Sequence, residues 1–112
     1  MNAIVVLCTC PDDVVAERIA SALVEERLAA CVNRIPGIVS TYRWQGAVHS
    51  DREILLLIKT TCDQVEPLTA LVASLHPYEL PEVLAVEVAA GSPGYLDWVV
   101  GNSSGGTSPR GD

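Results

Sequence analysis

The stretch REILLLIKT, residues 52 to 60, is apolar on both of the faces that a β-strand would present. Side chains of a strand alternate between the two faces of its sheet, and here leucine or isoleucine occupies both alternating sets. A strand that is buried on both faces lies inside a sheet rather than at its edge. The stretch therefore predicts a central strand, around which the rest of the chain can be placed.

Two further strands precede it. Asn2 to Cys8 is β-branched and apolar on both faces, which indicates a second interior strand. Cys31 to Tyr42 also has a strand pattern, but Pro36-Gly37 interrupts it, and proline is tolerated in a sheet only at an edge or a bulge. The polar, glycine-bearing segment Trp44 to Asp51 then predicts a connection that joins this edge strand to the central one as a hairpin.

The first helix is predicted between the first two strands. Pro11 in the first helical turn, followed by two aspartates, suits a helix N-terminus, and the helical spacing of apolar residues extends to about Arg27. A second helix follows the central strand, with Asp63 and Glu66 in the spacing of a capping box. It ends at His76, because Pro77 moves the preceding residue out of helical geometry.

A last strand, Val83 to Ala89, and a short helix that begins at Ser92-Pro93 complete the domain. The order βαββαβ predicts an α+β, ferredoxin-like sandwich over residues 1–100, with the strands in the spatial order 4-1-3-2. Residues 101–112, rich in glycine and serine, predict a disordered tail.

Composition excludes several classes of partner. Seven basic against fourteen acidic residues give a formal net charge of -7, which disfavours nucleic acid and anionic membranes. No apolar run is long enough to cross a membrane. Without a leader pattern, and with four cysteines in strand-like or helix-flanking segments, we expect a cytoplasmic protein with reduced thiols.

The predicted sheet has more apolar surface than one chain can cover. Both helices of such a sandwich pack on one face, yet the central strands are apolar on both. Since each apolar side chain removed from water contributes roughly 1.5 to 3 kcal/mol, burial against further copies is expected to be a major part of stability. The final helix, with Trp98, would cover only part of this face.

One rim of the sheet gathers residues that can bind a metal. Cys8, Cys10 and His76 are expected there, and Glu53 nearby, because the last strand runs antiparallel to the first. Thiolate and imidazole are ligands that copper or zinc prefers. At a strand end Cys8 is more often a small buried core residue, and His76 also suits a group that satisfies the last helical carbonyls.

Other residues also keep two interpretations. Cys10 lies at a helix N-terminus, which favours the thiolate. Tyr42 and Trp44 suit core or interface anchors, and Glu53 with Lys59, on one face of one strand, suits an intersubunit ion pair as well as a ligand clamp. The sequence has no hydrolase triad, no glycine-rich phosphate loop and no metal motif with an open position, so it does not predict an enzyme.

Five separated motifs, in order, resemble those of the CutA divalent-ion tolerance proteins. They are VVLCTCPD (Val5 to Asp12), LAACVNRIPGIVSTYRWQG (Leu28 to Gly46), ExLLxIKTT (Glu53 to Thr61), HPYELPEVL (His76 to Leu84) and YLDWV (Tyr95 to Val99). The resemblance implies a ferredoxin-like fold assembled as a homotrimer, a cytoplasmic location and a role in tolerance of divalent metals, chiefly copper.

The resemblance also implies sites. A copper site falls on Cys8 and His76, and Cys10 departs from members with a non-thiol residue at that position. An intersubunit cleft would be lined by Tyr42, Trp44, Glu53, Lys59, Tyr78 and Glu79. Our hypothesis from the sequence is a homotrimer that binds copper or another divalent ion, not needed for folding, without catalysing a reaction. The alternative is a trimeric sensor or scaffold that binds a small molecule or a protein segment in the cleft.

Overall fold

A computed structural model describes residues 2–103 of the chain, and its element order is βαββαβ followed by a final helix. The elements are β1 (Ala3–Cys10), α1 (Asp13–Glu25), β2 (Cys31–Trp44), β3 (Ala47–Thr61), a 3-10 turn (Cys62–Gln64), α2 (Val65–Leu75), β4 (Leu84–Glu87) and α3 (Pro93–Gly101). The predicted α+β, ferredoxin-like fold is confirmed. Gly101 still belongs to α3, so order extends past the expected boundary at residue 100, and the expected tail lies from residue 104 onward outside the described residues.

The four strands form one antiparallel sheet in the order β2-β3-β1-β4, which is the predicted order. The stretch at residues 52 to 60 lies in β3, between two partners, as its two apolar faces require. β2 is an edge strand, and its register with β3 shifts between Ile35 and Ile38, where Pro36-Gly37 intervenes and Gly37 has φ +77°. The proline therefore lies at an irregularity of an edge strand, where its missing N–H costs least.

The β2–β3 hairpin is longer than predicted, and the expected polar connection from Trp44 to Asp51 is wrong. The two strands remain paired up to a two-residue turn, Gln45-Gly46, with φ of 50° and 81°. Positive φ at both central residues is typical of a type I′ turn, whose twist matches the strands it joins. The polar sequence of residues 44–51 suggested a loop. The end of the hairpin extends beyond the core, so its side chains are exposed although its backbone is paired.

The helix starts differ from prediction in detail. Asp12 caps α1 by accepting the Val15 N–H at 2.9 Å, so Pro11 precedes the helix instead of lying in its first turn. The expected capping box of α2 does not form, because Asp63 lies in the 3-10 turn and accepts the hydroxyl of Thr61. α2 begins only at Val65. Both shifts leave the helices themselves where the apolar spacing places them.

The core lies between the sheet and the two longer helices. It is built from alternate residues of β1 and β3 and the inner faces of α1 and α2: Ile4, Val6, Cys8, Cys10, Ile54, Leu56, Ile58, Ile19, Leu23, Leu68 and Val72. The opposite face of the sheet, which we call the open face, carries the other alternating set. None of the helices in residues 2–103 is long and apolar enough to cross a lipid bilayer.

The open face is only partly covered. α3 contacts β1 and β3, and Tyr95 hydrogen-bonds Cys31 there. Leu84 and Val86 of β4, which pair with open-face residues of β1, remain 58% and 49% exposed. The apolar surface expected from the sequence is therefore present on the folded chain.

Candidate functional site

The thiols of Cys8 and Cys10 lie at the end of β1 on the core face. Two residues apart in a strand, they project to the same side, and both are fully buried. All four cysteines of the chain are free thiols in the structure. The reduced state expected from the sequence therefore agrees with the fold, and two sulfur atoms are available at one point of the core.

His76 is brought to these thiols by the end of α2. Its N–H donates to the carbonyl of Val72 at 2.8 Å, but its backbone is extended (φ -86°, ψ 137°), as expected before Pro77. β4 pairs with β1 only as far as Leu7. Beyond that point the imidazole reaches β1, with Nε2 2.7 Å from the carbonyl oxygen of Thr9.

Both ring nitrogens of His76 have partners, and these define its tautomer. The backbone N–H of Tyr78 lies 3.1 Å from Nδ1, so Nδ1 accepts a hydrogen bond. Nε2 must then carry the proton and donate it to Thr9. His76 is therefore a neutral, 8% exposed imidazole whose only lone pair in the ring plane is already used.

Cys8, Cys10 and His76 nevertheless form a compact donor set. One ligand atom from each of the three residues lies within 4.8 Å of the other two, and all three residues are buried. Two sulfurs and an imidazole suit a soft or borderline ion such as copper or zinc. The sulfurs can bind such an ion once they lose their protons, whereas the imidazole can become a third ligand only when Nδ1 releases the Tyr78 N–H, at a cost of about 1–3 kcal/mol if that partner stays buried.

A hydrogen bond between the two thiols separates their acidities. It lowers the pKa of Cys10, although burial and the nearby carboxylates of Glu53 and Asp12 oppose this effect. The same bond, followed by burial, raises the pKa of Cys8 strongly. The expected thiolate character of Cys10 is thus supported, but its main cause is Cys8 and not the helix N-terminus.

A cavity of about 560 Å³ lies beside this cluster, against the open-face residues of β2 and β3. It is lined by Thr9, Ser40, Thr41, Tyr42, Trp44, Glu53, Tyr78, Glu79, Leu80 and Glu82. Glu53 is 7% exposed and accepts the hydroxyl of Tyr78 at 2.8 Å. Burial, and then this bond, raise the pKa of Tyr78.

Five of the six residues expected in a ligand pocket line this cavity: Tyr42, Trp44, Glu53, Tyr78 and Glu79. Lys59 does not. Its amine contacts the side chain of Asn33 on β2, away from the cavity lining. A role for Lys59 in an intersubunit cleft stays a prediction.

Five of the ten residues that line the cavity were not predicted from the sequence: Thr9, Ser40, Thr41, Leu80 and Glu82. Glu82 lines the cavity and follows the HPYEL segment, so its position six residues after His76 is a usable signal. The Thr9 carbonyl that binds His76 has no signal in the sequence, because every residue type carries a backbone oxygen.

Comparison with known proteins places these features in a family. The family model of the CutA1 divalent ion tolerance protein matches residues 4–102. The "Divalent-cation tolerance protein CutA" of Thermus thermophilus is 54% identical over 99 residues, covering 88% of this chain and 96% of the relative. "Protein CutA" of Homo sapiens is 53% identical over 91 residues, which are 81% of this chain but 51% of the human protein.

A solved structure of the Thermus thermophilus protein, described as a divalent cation tolerance protein (Cut A1), superposes with a TM-score of 0.89 at 53% identity. The match covers 91% of this chain and 99% of that one. The chain thus spans nearly all of the bacterial relative and about half the length of several curated eukaryotic relatives, including those of mouse and human. The fold, the motifs and these matches agree: the chain belongs to the CutA1 divalent ion tolerance protein family.

Proposed function

We propose that this chain binds copper or another divalent metal ion through Cys8, Cys10 and His76, as part of divalent-cation tolerance and without catalysing a reaction. The observation that supports this proposal is the convergence of two sulfurs and one imidazole within 4.8 Å in a buried site. Residues that lie up to 68 positions apart in sequence form this set. Membership of the family supports the link to divalent cations.

The two thiols would act first. Metals bind the thiolate, and the lowered pKa of Cys10 means that fewer protons must be displaced there at neutral pH. A bound cation would then favour loss of the proton from Cys8. His76 would join when Nδ1 releases the Tyr78 N–H and offers its lone pair, so the imidazole would be the weakest of the three ligands.

A homotrimer is the assembly we propose for this function. The support is the incompletely covered open face, with Leu84 and Val86 exposed beside the apolar residues of β1 and β3. Contact between copies would bury this surface, and such surfaces on soluble chains mark interaction sites. Association would also enclose the hairpin, whose arm extends beyond the core.

We propose a cytoplasmic location, which the four free thiols support, because reducing compartments maintain that state. Relatives differ in compartment by their own names: the Arabidopsis thaliana protein is called chloroplastic, and the structure of the Archaeoglobus fulgidus protein is described as periplasmic. No cofactor is proposed for folding, since the core closes with these thiols as buried apolar groups.

An anaerobic titration with Cu(I), and a second with Zn²⁺, tests the metal proposal. Each ion competes against a chromogenic chelator for the wild type, Cys8→Ser and Cys10→Ser, with Cys62→Ser as the control because Cys62 is an exposed free thiol. Loss of a ligand should weaken binding by at least the ~10–100-fold that loss of an outer-shell partner costs. Equal affinities in all four proteins would remove the metal site from this cluster.

The cavity supports a second candidate function. A trimeric sensor or scaffold would bind a small molecule there, with metal binding incidental. The observation that favours it is a cavity lined by both aromatic and carboxylate groups. Its volume of about 560 Å³ lies within the ~300–1,000 Å³ range of small-molecule sites.

A further inference from the structure

The wall of the cavity combines two kinds of group. Three aromatic rings, those of Tyr42, Trp44 and Tyr78, line it together with three carboxylates. The carboxylates belong to Glu53, Glu79 and Glu82, and none of the lining residues is a lysine, arginine or histidine. The lining therefore combines acidic groups with a mainly aromatic apolar part.

Glu53 is the least solvated of these carboxylates. It is 7% exposed, and within residues 2–103 its one hydrogen-bond partner is the hydroxyl of Tyr78. The chain's one lysine, Lys59, shares a strand face with Glu53 but contacts Asn33 instead. A buried carboxylate without a cation is unfavourable, so an occupant that supplies a positive charge would offset this cost.

We propose that the cavity binds a small organic cation of the aliphatic polyamine class. This inference deepens the second candidate function and rests on it. Ammonium groups are attracted to the faces of Tyr and Trp and donate hydrogen bonds to carboxylates. A hard metal ion would use the carboxylates and its own waters, and it would gain nothing from the three aromatic rings. A polyamine carries several ammonium groups on one flexible chain, so it could pair with all three carboxylates of the cavity.

Tryptophan fluorescence provides a direct readout. The chain has two tryptophans, and Trp98→Phe leaves Trp44, which lines the cavity, as the one reporter. Spermidine is the cationic probe. Fully N-acetylated spermidine, of similar shape but uncharged, and glutarate, an anion, are the matched probes. Trp44→Phe, which keeps Trp98, reports any effect outside the cavity.

A matched pair of charge-neutralising substitutions tests the residues. Glu53→Gln keeps the acceptor for the Tyr78 hydroxyl and removes the charge, so spermidine binding should weaken about tenfold or more. Glu66→Gln, on the exposed side of α2, removes the same charge away from the cavity and should leave binding unchanged. Thermal unfolding of both variants establishes that each is folded before it is titrated.

The outcomes separate the inference from the function on which it rests. Saturable spermidine binding reported by Trp44, weakened by Glu53→Gln and absent for the acetylated probe, supports it. Binding of the acetylated probe or of glutarate with equal or greater affinity overturns the charge class and leaves a small-molecule site. Binding of none of the three probes to the assembled protein overturns the polyamine proposal, and a Cu(I) titration of the same sample then shows whether the metal function survives.

Discussion

The imidazole of His76 is hydrogen-bonded to the backbone carbonyl of Thr9, 67 residues earlier, with Nε2 2.7 Å from the oxygen. This bond holds the end of α2 against the end of β1, beyond the last residue of β1 that pairs with β4. In this tautomer an ion held by Cys8 and Cys10 would need the lone pair of the other ring nitrogen, Nδ1, which accepts the Tyr78 N–H. Holding the fold together and binding a metal therefore compete for one ring nitrogen.

Replacement of His76 by alanine should affect stability more than metal affinity. It leaves the Thr9 carbonyl and the Tyr78 N–H without their partner, so we expect a loss of about 2 kcal/mol in the free energy of unfolding, measured with urea. Cu(I) affinity should fall less than in Cys10→Ser. Unchanged affinity and stoichiometry in His76→Ala would remove this residue from the metal site.

Alkaline pH should destabilise the protein through Tyr78. The pKa of this phenol is raised in the folded chain by burial and by the bond to Glu53, so the unfolded chain releases the proton first. The contribution is fully present below the phenol's ordinary pKa of 10.0 and is lost as pH rises from there toward the folded-state value.

Urea unfolding between pH 8 and 11 measures this effect. Tyr78→Phe should flatten the fall in stability above pH 10, because the ionisable group is gone. Tyr95→Phe is the control, since Tyr95 is more exposed and its replacement should change the slope less. A slope above pH 10 that is identical in wild type and Tyr78→Phe would contradict the assignment.

The open face can be tested as an interface between copies. Val86→Asp places a charge on this face, whereas Val14→Asp places the same charge at the start of α1, where the valine is 65% exposed and the helix dipole favours an acid. Size-exclusion chromatography with light scattering should give a trimer for wild type and Val14→Asp, and dissociation for Val86→Asp. A monomeric wild type at micromolar concentration would contradict the proposed assembly.

Replacing a glycine by alanine should have opposite effects in the hairpin turn and in α3. Gly46→Ala puts a side chain at φ +81° and should destabilise by about 1 kcal/mol. Gly94→Ala, inside α3 and with open space around it, should be neutral or stabilising by up to about 1 kcal/mol. Neither added methyl group meets an atom within 4 Å, so thermal unfolding of the pair measures backbone conformation alone. Equal melting temperatures would mean that the turn does not need its left-handed geometry.

The fold followed from the sequence because its deciding signals are local. Two-faced apolar strands, Pro36-Gly37 at an edge and Pro77 after His76 each act on their own neighbours, and together they define the strand order. The length of the hairpin could not be predicted. Residues such as His49 have polar, exposed side chains, but their backbone is paired in the sheet, and a polar sequence looks the same in a loop and in an exposed hairpin.

The candidate site followed only in part. That Cys8, Cys10 and His76 meet could be inferred from topology, because antiparallel strands bring those segments to one rim. The hydrogen bonds that occupy both nitrogens of His76 could not, because they involve backbone groups of Thr9 and Tyr78 whose positions depend on tertiary packing. Lys59 was expected in the pocket because it lies on the same face of β3 as Glu53, but its amine contacts Asn33.

X-ray absorption at the copper edge of the full chain loaded with one equivalent of Cu(I) tests the metal centre most directly. We expect two sulfur scatterers in the first shell, with the imidazole of His76 as a third ligand that is lost in His76→Ala. A first shell of oxygen and nitrogen alone, or sulfur scattering that persists unchanged in the Cys8→Ser/Cys10→Ser double variant, would contradict the centre.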